Sequence, residues 1–544
     1  MWRRGVTVLV VLVAALARGD DLSSSDKLAL LYSHRFTFGR TGVPLVTVEL
    51  MNGQTSVRLS AERGLLVLPD GDGGAEVRGG RTFEITAVGA RPGKIRHYTI
   101  VARDPGPDEL ARWLGRGYAP RIFETGVVFG VAGDVIDSRE TLVGIAPEDD
   151  ALAAERTARG IAEKWQLETS VHPDLERRPQ GTVVARDAKT GVVVKHEGIL
   201  WFATEKAEPI TVADVVHGGG GSQRDAQKRE TRRYRGRIYV TLGNDGKLIV
   251  VNALPEDELL AGLVPSEIFA DAPHEALKAQ AVAARDELLA RIGTRHFTDP
   301  FLLCSTQHCQ VYGGLAPEDP RTTRAITETR GEVLLRDGGG GLVPAYYSAA
   351  CGGHGEHNDH IWAPAADPSL RGRLDAPADA LASLAPFGSG VPEEKVRAFL
   401  DLPAAASYCG RSRYARDRHR WSVRLPQARL DALVAEKHPR IGSVRELRPR
   451  DRGISGRIGA LDLVGTRGNV TVEGDLAIRR LLGGLRSSLF LVRRDGADWV
   501  FDGAGFGHGV GMCQTGAIGM AEGGAKYDQI LRHYYRGSHV AKLY

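Results

Sequence analysis

Between Pro273 and Gly293 the chain reads HEALKAQAVAARDELLARI, and this stretch limits the fold more than any other. Leu277, Ala281, Ala284, Leu288 and Ile292 recur at helical spacing and predict a buried stripe on one helix. Pro273 stands where the first turn begins, Glu275 suits the positive end of the helix dipole, and Gly293 follows as a stop. Lys278 and Arg285 lie two turns apart, roughly 10 Å along the axis, on a single face. Both are therefore expected to point into the same groove.

Strand signals dominate what precedes this helix. VTVEL, SVRLS, GLLVLPDGDGG, AEVRGGRTFEITAV and RHYTIVA alternate β-rich runs with Gly and Asp turns, which predicts a β-rich part over 27–103. In 104–222, EDDALAAERTARGIAEKW reads as an amphipathic helix opened by acidic residues and set among strands. That β-α-β pattern is weakly similar to the wall-binding SPOR module, and the region is expected to be an inserted α+β unit. Gly218–Ser222 reads as a hinge or surface loop, and the basic run Arg224–Arg237 as a solvated face or a contact for anionic polymers. RIYVTLGNDGKLIVVNALP then predicts a hairpin turning at Asn-Asp-Gly. The expectation is an α+β protein, rich in β-structure, with one groove-lining helix. Its 544 residues imply two or three domains.

A net charge of +4 with interleaved signs carries no nucleic-acid signature, though it suits an anionic wall polymer. Arg3 and Arg4 precede the apolar run Val6–Ala17, and Ala15-Leu16-Ala17 has the small-x-small form of a cleavage site. Residues 1–17 therefore read as a secretory signal, too short to stay as a membrane span. No later segment is long and apolar enough to cross a bilayer. The expected location is outside the cytoplasm, in the periplasm or on the wall. Disulfides are permitted there, but five cysteines leave at least one thiol free or metal-bound.

Glu267 sits in VPSEI just before the helix, as a loop residue among Leu263, Val264, Ile268 and Phe269. Five blocks then follow one another. They are VPSE with EALKAQAVAAR, then HCQVYGG, TRGEVLL, AYYSAACGGHGE with Trp362 downstream, and GFGHGVGMCQTGAIGMAEGGAKYDQILRHYYRGS. In this order they resemble the SpoIID/LytB family (stage II sporulation protein D), over 234–544. The resemblance implies a lytic transglycosylase acting on peptidoglycan glycan strands, with Glu267 as catalytic residue and Lys278 and Arg285 as the basic residues of its helix. Other members are described as enhancers of an N-acetylmuramoyl-L-alanine amidase, which makes a wall-binding protein without chemistry the alternative. One acid suffices for the transglycosylase, because the muramic acid C6 hydroxyl is the nucleophile and the product is 1,6-anhydro. Glu267 must then be protonated near neutral pH, which burial among apolar neighbours would achieve. Lys278 and Arg285 are expected to contact sugar, including the lactyl carboxylate of peptide-stripped strands.

LCSTQHCQVYGG places Cys304, His308 and Cys309 within six residues, and YYSAACGGHGE adds Cys351 and His354. Short Cys and His spacings suit a structural zinc held by Cys304, His308, Cys309 and Cys351, with His354 or His296 as other candidates for the fourth ligand. A disulfide, Cys304–Cys309 or Cys304–Cys351, is the rival. In the glycine-dense block His508 and Gln514 are expected to line a substrate wall, His508 either orienting a sugar or bonding its own loop. Cys409 and Cys513 have no role at this level. No phosphate-cradling loop, nucleophile elbow or metalloprotease helix is present.

Overall fold

The computed structural model describes residues 28, 30–33, 37–38, 42–69, 75–131, 134–216, 229–306, 308–339, 341–362 and 365–544. The expected leader 1–17, the Gly218–Ser222 loop and the start of the basic run lie outside these residues. With 28% helix and 37% strand, the fold is α+β and rich in β-structure.

One sheet runs in the order Thr37–Phe38, Pro44–Gln54, Leu248–Pro255, Arg237–Leu242, Ile199–Ala203, Leu66–Leu68, Val77–Arg78, with Leu303–Cys304 parallel to Pro44–Gln54. The expected hairpin is at its centre, with Leu242 opposite Leu248. Val48, Val240, Val250 and Leu200 alternate into a shared core with the neighbouring six-stranded sheet. The boundary expected at 103/104 does not separate two units. Strand Lys94–Arg103 pairs with Glu140–Glu148 and Ser170–Arg177, while Gln180–Asp187 returns to Thr82–Arg91 and Ile210–Val216 to Ser56–Ser60. The excursion is a four-stranded sheet that carries helix Ala151–Trp165. That helix starts where the acidic run suggested, since the Asp150 carboxylate accepts the Ala153 N–H at 2.8 Å. The basic run ends in ion pairs, Arg233 with Glu62 and Arg235 with Glu318.

Two helices follow the hairpin: α1 (Glu256–Glu267) and α2 (His274–Arg291). Pro273 caps α2, and Gly293 follows it at φ +74°, a conformation that costs glycine nothing. The predicted stripe Leu277, Ala281, Ala284, Leu288, Ile292 is buried, and so is nearly every other face of α2. Such a helix is an axle, packed by α1, by helix Pro320–Glu328 and by α3 (Gln514–Glu522).

Arg285 occupies the middle of this axle with a side chain that is 0% exposed. Its Nε donates to Glu256 Oε1 at 2.7 Å, and its Nη1 to the Thr329 and Glu332 carbonyls at 2.9 and 3.0 Å. Tyr544 donates its hydroxyl to the other Glu256 oxygen. This pair ties the start of α1 to the middle of α2.

Past Ser348 the core is interrupted. Residues 356–511 build two three-stranded sheets and several short helices around their own apolar clusters before the chain returns. The junction closes by parallel pairing of Tyr347 with Met512 and Ser348 with Cys513.

Arg285→Met leaves the Glu256 carboxylate buried without its cation, and breaking such a pair costs about 3–5 kcal/mol. Urea unfolding should show that loss. The double substitution Arg285→Met with Glu256→Leu should recover most of it, and equal instability of both variants would refute the ion-pair account.

Candidate active site and metal ligands

Glu267 is the last residue of α1, not a loop residue. Its carboxylate is half-buried at the negative end of a helix dipole, a position that disfavours charge. Burial, then the Glu287 carboxylate, push its pKa up to about 7, against the pull of Arg291. Leu263, Val264 and Ile268 are buried around it as expected. Phe269 is not. It is 38% exposed and stacks flat on Tyr414, with centroids 4.3 Å apart and planes at 9°. Arg418 lies 4.8 Å over the Phe269 ring.

The wall facing Glu267 comes from one stripe of α2. Gln280, Ala284, Glu287 and Arg291 fall within about 60° of one another at 100° per residue. Gln514, at the start of α3, donates Nε2 to the Glu267 carbonyl at 2.8 Å and to Gln280 Oε1 at 3.1 Å. Gln310 donates to Glu287 Oε2 at 2.9 Å and to the Tyr347 hydroxyl at 3.3 Å. Burial raises the pKa of Glu287, and Arg291 opposes that through a direct ion pair. Tyr347 is raised further by burial and by the two carboxylates, so its hydroxyl stays protonated. His508 stands beside this wall. Its Nδ1 accepts the Val510 N–H at 3.1 Å and its ring packs on Trp362 at 4.8 Å. Burial lowers its pKa to about 4, so it is neutral and bonds its own loop.

A loop of donors adjoins the wall. His296, Cys304, His308 and Cys309 bring one ligand atom each to within 4.8 Å of one another. Cys304 and Cys309 Sγ are 3.1 Å apart, His296 Nε2 is 3.3 Å from Cys309 Sγ, and His308 Nδ1 is 3.6 Å from Cys304 Sγ. His296 Nδ1 rests on Asp299 at 3.1 Å, the arrangement that fixes a ligating imidazole. Two sulfurs and two imidazoles in this space suit a tetrahedral zinc. Arg291 joins the loop to the wall by bonding Glu287 on one side and the His308 and Cys309 carbonyls on the other.

Residues 244–335 match the family model described as Stage II sporulation protein, SpoIID, and 356–511 match one described as a domain of unknown function, DUF8618. A protein of Brachyspira hyodysenteriae described as uncharacterized is 29% identical over 305 residues, 56% of this chain and 71% of its own length. The amidase enhancer of Bacillus subtilis is 28% identical over 295 residues, 51% of this chain and 40% of its own length. Stage II sporulation protein D of Bacillus amyloliquefaciens is 27% identical over 308 residues, covering 54% and 76%. The model match over 244–335 and the relatives named amidase enhancer and stage II sporulation protein D support a member of the SpoIID family.

Within the structure three expectations fail. Lys278 and Arg285 do share a face, but it lies about 140–180° around α2 from Gln280 and Glu287. Lys278, 16% exposed, sits 3.8 Å from Glu328 and 4.3 Å from the Tyr527 ring centroid. Arg285 is sealed in the core. Neither lines a groove with Glu267, because seven-residue spacing fixes a common face and not what that face meets. Cys351 is not in the His296 cluster but in a second group with Asp375, Cys409 and Cys513. His354 is buried elsewhere, its Nδ1 on the Gly355 carbonyl at 2.7 Å. Glu287, Arg291, Gln310 and Tyr347 went unassigned, although each lies in or beside a family block. The helical spacing of Gln280, Glu287 and Arg291 was the available signal.

Glu287 raises Glu267 by repulsion, so Glu287→Gln should lower the Glu267 pKa from about 7. Carboxyl-carbon NMR titration reads it directly. The protonated form would then be lost at lower pH, and an unmoved midpoint would remove Glu287 from the site.

Proposed function

We propose that the protein is a peptidoglycan lytic transglycosylase that cleaves the MurNAc–GlcNAc linkage and leaves 1,6-anhydro-MurNAc ends. The observation that carries this reading is the carboxyl of Glu267, held up to about 7 by burial and by Glu287. A group at that pKa is protonated often enough to give a proton and basic enough to take one back. Glu267 donates its proton to the glycosidic oxygen as the bond to C1 breaks. The resulting carboxylate accepts the C6 hydroxyl proton as O6 closes on C1, restoring the acid. No second carboxylate is required, unlike the pair that hydrolysis uses. Gln514 and Gln280 hold the end of α1 in place, and the Phe269–Tyr414 stack offers an exposed apolar face two residues from the acid. Preference for peptide-stripped strands rests on the family resemblance. Arg418, over Phe269, is a cation that this surface offers to a lactyl carboxylate.

His296, Cys304, His308 and Cys309 would hold a structural zinc, with His308 the exposed member. Bound metal would stiffen the loop that delivers Gln310 to Glu287 and Tyr347. The protein is exported in this reading, and among the described residues no helix is long and apolar enough to cross a membrane.

A second reading is favoured by the 28% identity to the amidase enhancer: the groove binds glycan and stimulates an amidase without cutting. Glu267→Gln separates the two. It should lower release of anhydro-muramic ends from purified glycan strands by about a hundredfold or more, with folding unchanged. Full stimulation of an amidase by the wild type, with no anhydro ends, would overturn the transglycosylase reading.

Cys304→Ser with Cys309→Ser should remove about one zinc per chain and lower the Tm. A Cys304–Cys309 disulfide in the native protein, mapped by mass spectrometry, would exclude the metal.

A further inference from the structure

Cys351, Cys409, Cys513 and Asp375 come from four separate segments, and all four are buried. Their three sulfurs and a carboxylate oxygen lie within 4.8 Å of one another. The backbone N–H of Cys409 donates to Asp375 Oδ2 at 2.9 Å. Asp375 Oδ2 is 3.3 Å from Cys351 Sγ. Main-chain N–H groups point at the sulfurs: Cys351 N at Cys513 Sγ (3.0 Å), Gly353 N at Cys351 Sγ (3.3 Å) and Gly516 N at Cys513 Sγ (3.2 Å). Cys513 is also the N-cap of α3, where a thiolate is stabilised by the helix dipole. Asp375 is braced from behind, with Oδ1 accepting the Tyr534 hydroxyl at 2.7 Å and facing His533 Nε2 at 3.4 Å.

A disulfide would consume two of these sulfurs and strand the third. A metal ion uses all three together with the carboxylate. Three thiolates and a carboxylate around a divalent ion leave two negative charges, and two cations, the fully buried Arg457 and the half-buried Arg420, stand beside them. Arg420 Nη1 donates to the Gly352 carbonyl at 2.8 Å, and Arg457 Nη2 to the Cys351 carbonyl at 3.1 Å. Among the described residues neither guanidinium has a carboxylate within ion-pair distance, so a net negative centre would offset charges that are otherwise costly to bury.

We propose that Cys351, Cys409, Cys513 and Asp375 form a second, closed structural zinc site, separate from the His296 cluster. Soft sulfur donors in tetrahedral number, with no open position, select zinc in a structural role. The placement says what it would hold. Cys351 and Cys513 stand where the chain leaves and re-enters the core, while Asp375 and Cys409 lie inside the intervening region 356–511. One ion would clamp both necks of that region to its interior, beside the strand pair that carries Tyr347.

The test is metal content and cobalt spectroscopy on the full-length chain. Cys304→Ser with Cys309→Ser, purified without chelator, should retain about one zinc per chain. Replacing that zinc with cobalt should give thiolate-to-cobalt charge transfer of three-thiolate intensity. Adding Cys409→Ser should abolish both. If the first variant fails to fold, cobalt-loaded wild type decides. Charge transfer equal to five thiolates, or to three when only this site is filled, supports the proposal; two-thiolate intensity or none overturns it. A disulfide between any two of Cys351, Cys409 and Cys513 in the native protein overturns it as well.

Discussion

A buried guanidinium and a buried carboxylate hold together the two helices on which the placement of Glu267 depends. Arg285 and Glu256 are both fully buried, and each would be costly alone. Their pairing draws the first turn of α1 onto the middle of α2, and the Thr329 and Glu332 carbonyls accept from the guanidinium's Nη1. Twelve residues of helix separate Glu256 from Glu267 inclusive, so anchoring one end of α1 sets where the other end arrives. It arrives against the opposite stripe of α2, where Gln280 and Glu287 point. A buried ion pair that contributes little net stability thereby determines the position of a titrating carboxyl on the far side of the same helix.

From that carboxyl outward the side chains act on one another in sequence. Glu287 adds to the effect of burial in raising the Glu267 pKa, Arg291 opposes Glu287 through their ion pair, and Arg291 also grips the carbonyls of the Cys304–Cys309 loop. Gln310, the next residue of that loop, returns to Glu287 and Tyr347. The donor cluster is thus hydrogen-bonded through Arg291 and Gln310 to Glu287, which acts on the acid through its charge. Whatever stiffens the loop also fixes the electrostatics at Glu267, with no ion needing to touch substrate. The second cysteine group adjoins the same wall, because Cys513 and Ser348 pair next to Met512 and Tyr347.

Local patterns carried much of this. The hairpin around Asn-Asp-Gly, the helix capped by Pro273 and Gly293, and the helix opened by Asp150 were legible because each depends on residues within one turn or one strand of each other. Glu267 was legible through its family block, and its need for burial followed from the chemistry. The domain boundary at 103/104 was not legible. Strands Lys94–Arg103 and Gln180–Asp187 look alike in sequence, and only their long-range partners show where one sheet ends and another begins.

The sequence alone determined which residues share a helix face, which cysteines are close along the chain, and that the fold is α+β with a helix that buries one stripe. Tertiary structure decided which face of α2 meets the acid, and it placed Glu287 and Arg291 there, with Lys278 and Arg285 on the opposite side. It also decided that Cys351 joins Cys409 and Cys513 instead of Cys304. The reason is geometric. Helical periodicity reports angles between side chains on one element, whereas burial, charge and ligation depend on what another element brings to that angle.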